Sequence, residues 1–278
     1  MNLILVVNKT GNITSRKVVN ELSKILKYKK IGHTGTLDPM ATGVLVCMTG
    51  KYTKLVDLII NEEKEYIATI KLGIKTDTGD ITGSILEQKE IPVLDFNKIK
   101  EILSSFVGNY EETVPIYSAV HVNGKRLYEY ARNKEEVILP KKIVEIKKIE
   151  LISYDNDLIK FKVVVSKGTY IRSLIQDICK KLNTIGTMSE LVRTKQGKFN
   201  IENSYTLEDV SVGKYQSLKL EDVLDLKCIN VKTEILKKVQ NGNKINMDIE
   251  GYVLFKDNSN DVALYYFENN IGKLKILF

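Results

Sequence analysis

Two apolar-rich runs near residues 143–153 and 158–165 are separated by little more than Asp155-Asn156. Joining parallel strands takes a dozen or more residues, so a link this short folds the runs back as an antiparallel hairpin. Other segments carry the same constraint. Residues 64–72, KEYIATIKL, alternate so that Tyr66, Ala68, Ile70 and Leu72 share one face of a strand. The following GIKTDTGDITG is dense in Gly, Thr and Asp and predicts a loop or a tight pair of turns. A strand from Tyr117 to Val122 runs into Asn123-Gly124, a strong turn signal. Helical spacing appears only irregularly between these strands. The pattern predicts an α+β fold with a mixed, largely antiparallel sheet flanked by helices, not a doubly wound sheet.

The remaining elements follow from spacing and caps. Residues 2–7 predict a first strand, and Thr42 to Thr49 a buried one. Thr14 or Ser15 caps a helix over residues 15–30 with Val18, Val19, Leu22, Ile25 and Leu26 on one face. Residues 51–60 predict a short helix. Asp95 caps a helix burying Phe96, Ile99, Ile102, Leu103 and Phe106. Residues 125–133 form a short helix or basic loop, and Tyr170 to Leu182 has apolar residues at helical spacing. Near residue 227 the character changes to short strands with Asn-rich turns, which predicts a small β-barrel or half-barrel. The expected domains are therefore 1–226 and 227–278.

Composition excludes several classes. No run of about 18 apolar residues exists, so no transmembrane helix is expected. The N-terminal MNLILVVNKTGN lacks a basic leading region and reads as a strand, not a signal peptide. The three cysteines, at 47, 179 and 228, are far apart, which suits free thiols in a reducing cytoplasm. With two histidines and no clustered ligands, a zinc site is not expected. The net charge is +7, and residues 1–54 hold nine basic residues against two acids, Glu21 and Asp38. The whole excess thus lies in one segment, and a polyanion such as nucleic acid is its natural partner.

That segment also contains Gly32–Leu45, GHTGTLDPMATGVL. Its glycines let the backbone bend and approach another molecule, and its threonines offer hydroxyls. Asp38 is the only acid between residues 22 and 56, which makes it a candidate nucleophile or base. An isolated Asp-Pro in a Gly-rich loop is more often just a turn. The stretch is not a phosphate-binding P-loop, since the nearest Gly-Lys is Gly50-Lys51-Tyr52, without the upstream glycine spacing.

Five blocks, in order, decide between these readings. GHTGTLDP followed by ATGVL resembles the catalytic motif of TruB-type tRNA pseudouridine synthases. KEYIATIKLGIKTDTGDITG, VPIYSAVHVNGKRLYEYAR, KGTYIRSLIQDI and MSELVRTKQGKF are similar to the family's next four blocks. Together they span about residues 3–210, and the tail resembles the short PUA-like domain of bacterial members.

The resemblance implies isomerisation of uridine 55 in the T arm of tRNA to pseudouridine, on a flipped-out nucleotide and without metal or organic cofactor. It implies that Asp38 is the catalytic aspartate, attacking C1′, assisting departure of the base as a glycal forms, or adding to C6. It matches His33 to a residue holding the flipped nucleotide, Tyr66 to a base-stacking tyrosine, Tyr170 and Leu191 to pocket positions, and Arg172 to the partner of the carboxylate. The Lys-rich segment 121–148 matches the part that grips the T arm, which points to Lys125, Arg126 and Arg132, with Lys9, as RNA-backbone contacts. An adjacent arginine favours the charged form of a carboxylate in a dry pocket, and an aromatic face offsets part of the cost of unstacking a base. The chain departs from the family at Thr10, Val114, His121 and Val192, positions bearing on affinity more than on chemistry. The resemblance implies a monomer acting without an obligatory protein partner in the cytoplasm. A guide-dependent relative acting on ribosomal RNA, a non-catalytic RNA-binding module and an Asp38–His33 hydrolase are weaker alternatives.

Overall fold

The computed structural model describes residues 1–59 and 63–278. Among them, a nine-stranded sheet forms the body of the protein. Its main path runs Ile4–Lys9, Thr42–Thr49, Gly186–Gln196, Lys64–Leu72, Leu158–Val165, Lys141–Asp155 and Gly108–Thr113. Ile31–His33 pairs with Thr42–Thr49, and Phe199–Asn200 with Gly186–Gln196. Every pairing is antiparallel except that of Gly186–Gln196 with Thr42–Thr49. The sheet is therefore mixed and largely antiparallel, with helices against it, as the hairpin signals predict. The hairpin at Asp155-Asn156 closes with Asp155 opposite Leu158 and Asn156 at a positive φ of 51°.

Ile4–Val7 and Val44–Met48, within the strands Ile4–Lys9 and Thr42–Thr49, are continuously apolar because both of their faces are covered. Leu5, Val7, Leu45 and Cys47 pack with Val18, Val19 and Leu22 of the helix Ser15–Ile25. Ile4, Val6, Val44, Val46 and Met48 face the other way and pack with Leu254, Leu264 and Ile276. Those three belong to a second sheet of five strands, Lys227–Asn230, Gly251–Asp257, Asn260–Glu268, Ile271–Leu277 and Ile245–Asn246. The C-terminal sheet thus shares a core with the first strands, and Tyr52 donates to Asp261 across the junction at 2.6 Å. A third cluster joins Tyr66, Ala68, Ile70 and Leu72 to the helices Phe96–Ser104 and Ile171–Lys181.

Several local expectations need correction. The first helix ends at Ile25, with Leu26 as its C-cap and Lys27 at φ 50°, so residues 27–30 do not extend a lysine-rich helical face. Phe96 is exposed rather than core, since it sits at the start of its helix next to the Asp95 cap. Tyr117 to Val122 is a strand only at His121–Val122. The short helix expected over residues 51–60 is a 3₁₀ turn at Gly50–Leu55 followed by Val56–Ile59, and residue 60 lies outside the described residues. The strands Gly108–Thr113 and Gly186–Gln196 carry no clean alternation and were not expected. In the second, register shifts between Met188 and Glu190 and between Arg193 and Lys195 interrupt the period of two.

The loop Thr34–Ala41 is tied to this frame from four sides. Lys9, only 1% exposed, donates from Nζ to the carbonyls of Thr10 (2.9 Å), Pro39 (3.0 Å) and Ala41 (2.6 Å). Arg193, also 1% exposed, donates to Val44 (2.7 Å), Gly35 (3.3 Å) and Thr36 (3.4 Å) carbonyls. Gln196 Nε2 holds both oxygens of Thr34, and the Ser15 hydroxyl exchanges hydrogen bonds with the Leu37 backbone. Arg193 sits where the parallel pair meets, opposite Gly43 at φ 99°, and a Cβ at that glycine would strike the Arg193 carbonyl.

Two expectations follow for stability. Gly43→Ala combines a disfavoured φ with a backbone collision, so urea unfolding should show a loss of about 3 kcal/mol. The second concerns Lys9. Burial, assisted by Arg193 and opposed by Asp38, lowers its pKa from 10.5 to about 8. Between those two pH values the unfolded chain holds a proton that the folded chain has released, so stability from this group rises with pH. The melting temperature of the parent relative to Lys9→Met should therefore shift in the parent's favour as pH is raised from about 8 to 10.5.

Candidate active site

Asp38 follows Leu37 in the pinned loop, and its carbonyl accepts from Ala41 N at 3.1 Å. Its carboxylate meets Arg172, which projects from the first turn of the helix Ile171–Lys181. The contact is bidentate: Nε donates to Oδ2 at 3.0 Å and Nη2 to Oδ1 at 3.1 Å. The same guanidinium donates from Nη1 to the Thr78 carbonyl and from Nη2 to the Tyr117 carbonyl, both at 3.0 Å. The Arg172 side chain is 5% exposed and that of Asp38 is 29% exposed, so the cation is enclosed while the acid opens outward. A planar fork satisfied on four of its five N–H groups fixes the plane of the carboxylate. The loop carrying Thr78 is itself organised around Asp80, whose Oδ1 accepts from Thr78 Oγ1 (3.0 Å) and Thr82 N (3.0 Å).

Asp38 opens into a cleft of about 200 Å³ lined also by Lys64, Tyr66, Lys167, Tyr170, Leu191 and Arg193. Tyr66 stands on the strand Lys64–Leu72 and is 6% exposed, joining the core while lining the cleft. Tyr170 is the N-cap residue of the Arg172 helix, and burial raises its phenol above the ordinary value. Leu191 closes the apolar side from the strand Gly186–Gln196. The arrangement pairs one oriented carboxylate with two aromatic rings and an aliphatic wall. Such a cavity suits a flat, partly polar ring beside a group that reacts with an anion.

The structure therefore brings together Asp38, Tyr66, Tyr170, Arg172 and Leu191. It does not place His33 among the residues lining the cleft. His33 ends the strand Ile31–His33 opposite Cys47, and its pKa is lowered by burial and by Arg16 and Arg193, which favours the neutral ring. Lys9 corrects the expectation of a backbone contact. It is enclosed, and all three ammonium hydrogens are engaged by carbonyls, so it fastens the Asp38 loop from behind. Lys125, Arg126 and Arg132 lie outside the cleft, on the turn His121–Arg126 and the helix Leu127–Asn133. Lys125 pairs with Glu135 at 2.6 Å and sits over the Tyr130 ring. Arg126 and Arg132 lie 5.9 and 5.2 Å from the Tyr128 ring centre. Arg193 escaped the sequence reading, although it stands beside Val192, one of the positions at which the chain departs from the family.

Residues 23–171 match the family model described as TruB family pseudouridylate synthase (N terminal domain). Residues 172–231 match that of the tRNA pseudouridylate synthase B C-terminal domain. A Mesoplasma florum protein named tRNA pseudouridine synthase B is 38% identical, over 98% of this chain and 96% of its own. The protein of that name from Staphylococcus aureus strain Newman is 43% identical, over 95% of this chain and 93% of its own. Among solved structures, an H/ACA RNP bound to a substrate RNA containing 2′-deoxyuridine superposes with a TM-score of 0.72 at 22% identity, covering 99% of this chain and 84% of that one. A Cbf5–Nop10–Gar1 complex gives a TM-score of 0.71 at 24% identity, over the same shares. The last two establish likeness of fold. With both family models and full-length relatives in agreement with the oriented aspartate in its aromatic cleft, the chain belongs to the TruB family of pseudouridine synthases and is an isomerase.

Proposed function

We propose that the protein converts uridine 55 in the T arm of tRNA to pseudouridine, acting as a monomer in the cytoplasm. The observation that carries this reading is the Asp38–Arg172 pair opening into a cleft faced by Tyr66 and Tyr170. The names of the full-length relatives support tRNA as the substrate.

The reaction breaks the N1–C1′ bond and forms a C5–C1′ bond. It gains and loses no atoms overall: C5 gives up its proton and N1 takes one. The enzyme must expose the nucleotide, act at the reacting carbon and keep the freed base while it turns. Unstacking costs a few kcal/mol. A tyrosine face such as that of Tyr66 returns roughly 1–3 kcal/mol per base. Asp38 is the acting anion, and Arg172 holds its plane. Leu191 and the ring of Tyr170 keep the freed base close while excluding water.

Two outcomes are expected. Asp38→Asn keeps the shape of the side chain and removes its charge. The variant should bind unmodified tRNA with near-parental affinity and give no pseudouridine when the product is mapped at position 55. Near-parental turnover would remove Asp38 from the reaction, and conversion at another position would redirect the site assignment. Neutralising Lys125, Arg126 and Arg132 together should weaken tRNA binding and flatten its salt dependence, since each phosphate contact contributes a log–log slope of about −0.7 to −0.9. Dissociation constants across a salt series check this. Parallel lines of equal affinity would place the RNA on another face.

A further inference from the structure

Among the described residues, the most completely buried acid outside the cleft is Glu112, 0% exposed on the edge strand Gly108–Thr113. Its carboxylate accepts from the backbone N–H of Tyr170, at 2.9 Å to Oε2 and 3.3 Å to Oε1. Tyr170 is the N-cap of the helix that carries Arg172, and its own side chain makes no capping bond. Glu112 therefore brings negative charge from a neighbouring strand to the positive end of that helix. A second tie joins the same two elements one residue beyond Glu112 and three beyond Tyr170, where the Ser173 hydroxyl donates to the Thr113 carbonyl at 2.7 Å.

Glu112 does not stand alone. Lys142, on the neighbouring strand Lys141–Asp155, is its cross-strand partner, with Nζ 3.1 Å from Oε1. The same ammonium donates to the Gly168 carbonyl at 2.7 Å and lies 4.3 Å from the centre of the Tyr170 ring. One cation thus touches the buried acid, the loop before the helix and the face of a cleft-lining aromatic. A cation over an aromatic face is attractive, more so when partly desolvated. Removing Lys142 would leave an enclosed carboxylate without its counter-charge and the ring without its support.

We infer that Glu112 and Lys142 form a positioning pair for the reaction, setting the Tyr170 ring against the substrate and the start of the helix that delivers Arg172 to Asp38. This rests on the pseudouridylation reading above. Neither residue touches the substrate. The pair acts through Tyr170 and Arg172, so it governs the rate of conversion of bound tRNA; although Lys142 falls within residues 121–148, its ammonium is engaged by Glu112 and the Gly168 carbonyl, and affinity rests on the other basic residues of that segment. A small displacement of reacting groups is sufficient to slow a step by one to two orders of magnitude.

The test compares Glu112→Gln, Lys142→Met and the double variant with the parent. Lys142 is partly exposed, at 33% of its side chain, so Lys142→Met serves as the second variant should the buried Glu112→Gln fail to accumulate, and the double variant removes the uncompensated charge that either single leaves. Single-turnover conversion of unmodified tRNA at saturating enzyme should fall about tenfold or more in each single variant, with the tRNA dissociation constant within about twofold of the parent. The double variant should be no slower than the slower single, because both residues act through one contact. With ¹³C-labelled tyrosine, the Tyr170 ring resonance, assigned through Tyr170→Phe, should move in both single variants. Parental rates in the single variants, additive losses in the double, or a loss wholly in affinity would overturn the inference. A parent inactive on tRNA would remove the substrate reading instead. In that event the resonance decides the pair: a shift in both variants sustains it and an unmoved Tyr170 sinks it.

Discussion

The cleft depends on one guanidinium. Arg172 reaches Asp38 through two parallel bonds and the carbonyls of Thr78 and Tyr117 through two more. These partners come from loops far apart in sequence, and the arginine brings them to one point. Enclosing a cation costs several kcal/mol, which the ion pair and the two carbonyls together offset. A lysine in its place would carry the charge but not the fork, and could not hold the plane of the acid and both loops at once. The loop beneath is held by the same kind of chemistry. Lys9 and Arg193 spend their donors on backbone carbonyls, so the segment bearing Asp38 is fastened by cations that are almost wholly buried.

Much of this was legible from residue types. Clean alternation gave Lys64–Leu72 its bounds and its buried face, and the Asp95 and Thr14 caps fell where the side chains accept from the helix backbone. Asp38 stood out because nearby acids are absent. Arg172, Tyr170 and Leu191 did not stand out by chemistry. A lone arginine before a helix or a leucine in a strand has no distinguishing neighbour in sequence, and only resemblance to a family placed them. What stayed hidden is instructive. Gly186–Gln196 lies at the centre of the sheet, yet its bulges break the alternation that reveals a strand. Lys9 looks like a surface charge beside a turn, and its burial arises from a loop thirty residues away closing over it. Spacing along the chain carries no information about such long-range enclosure.

The topology sets the order in which the protein can be completed. The apolar face formed by Ile4, Val6, Val44, Val46 and Met48 is covered by Leu254, Leu264 and Ile276, from the last strands of the chain. During synthesis those first strands emerge about two hundred residues before their cover. At about 5–20 residues per second, they wait on the order of 10–40 s with one face exposed. The parallel junction at Gly43 and Arg193 imposes a similar delay on the Asp38 loop, since neither Arg193 nor Gln196 exists when the loop is made. The nascent chain thus exposes an apolar face that the finished protein covers. The C-terminal sheet is therefore the cover that ends that vulnerable interval.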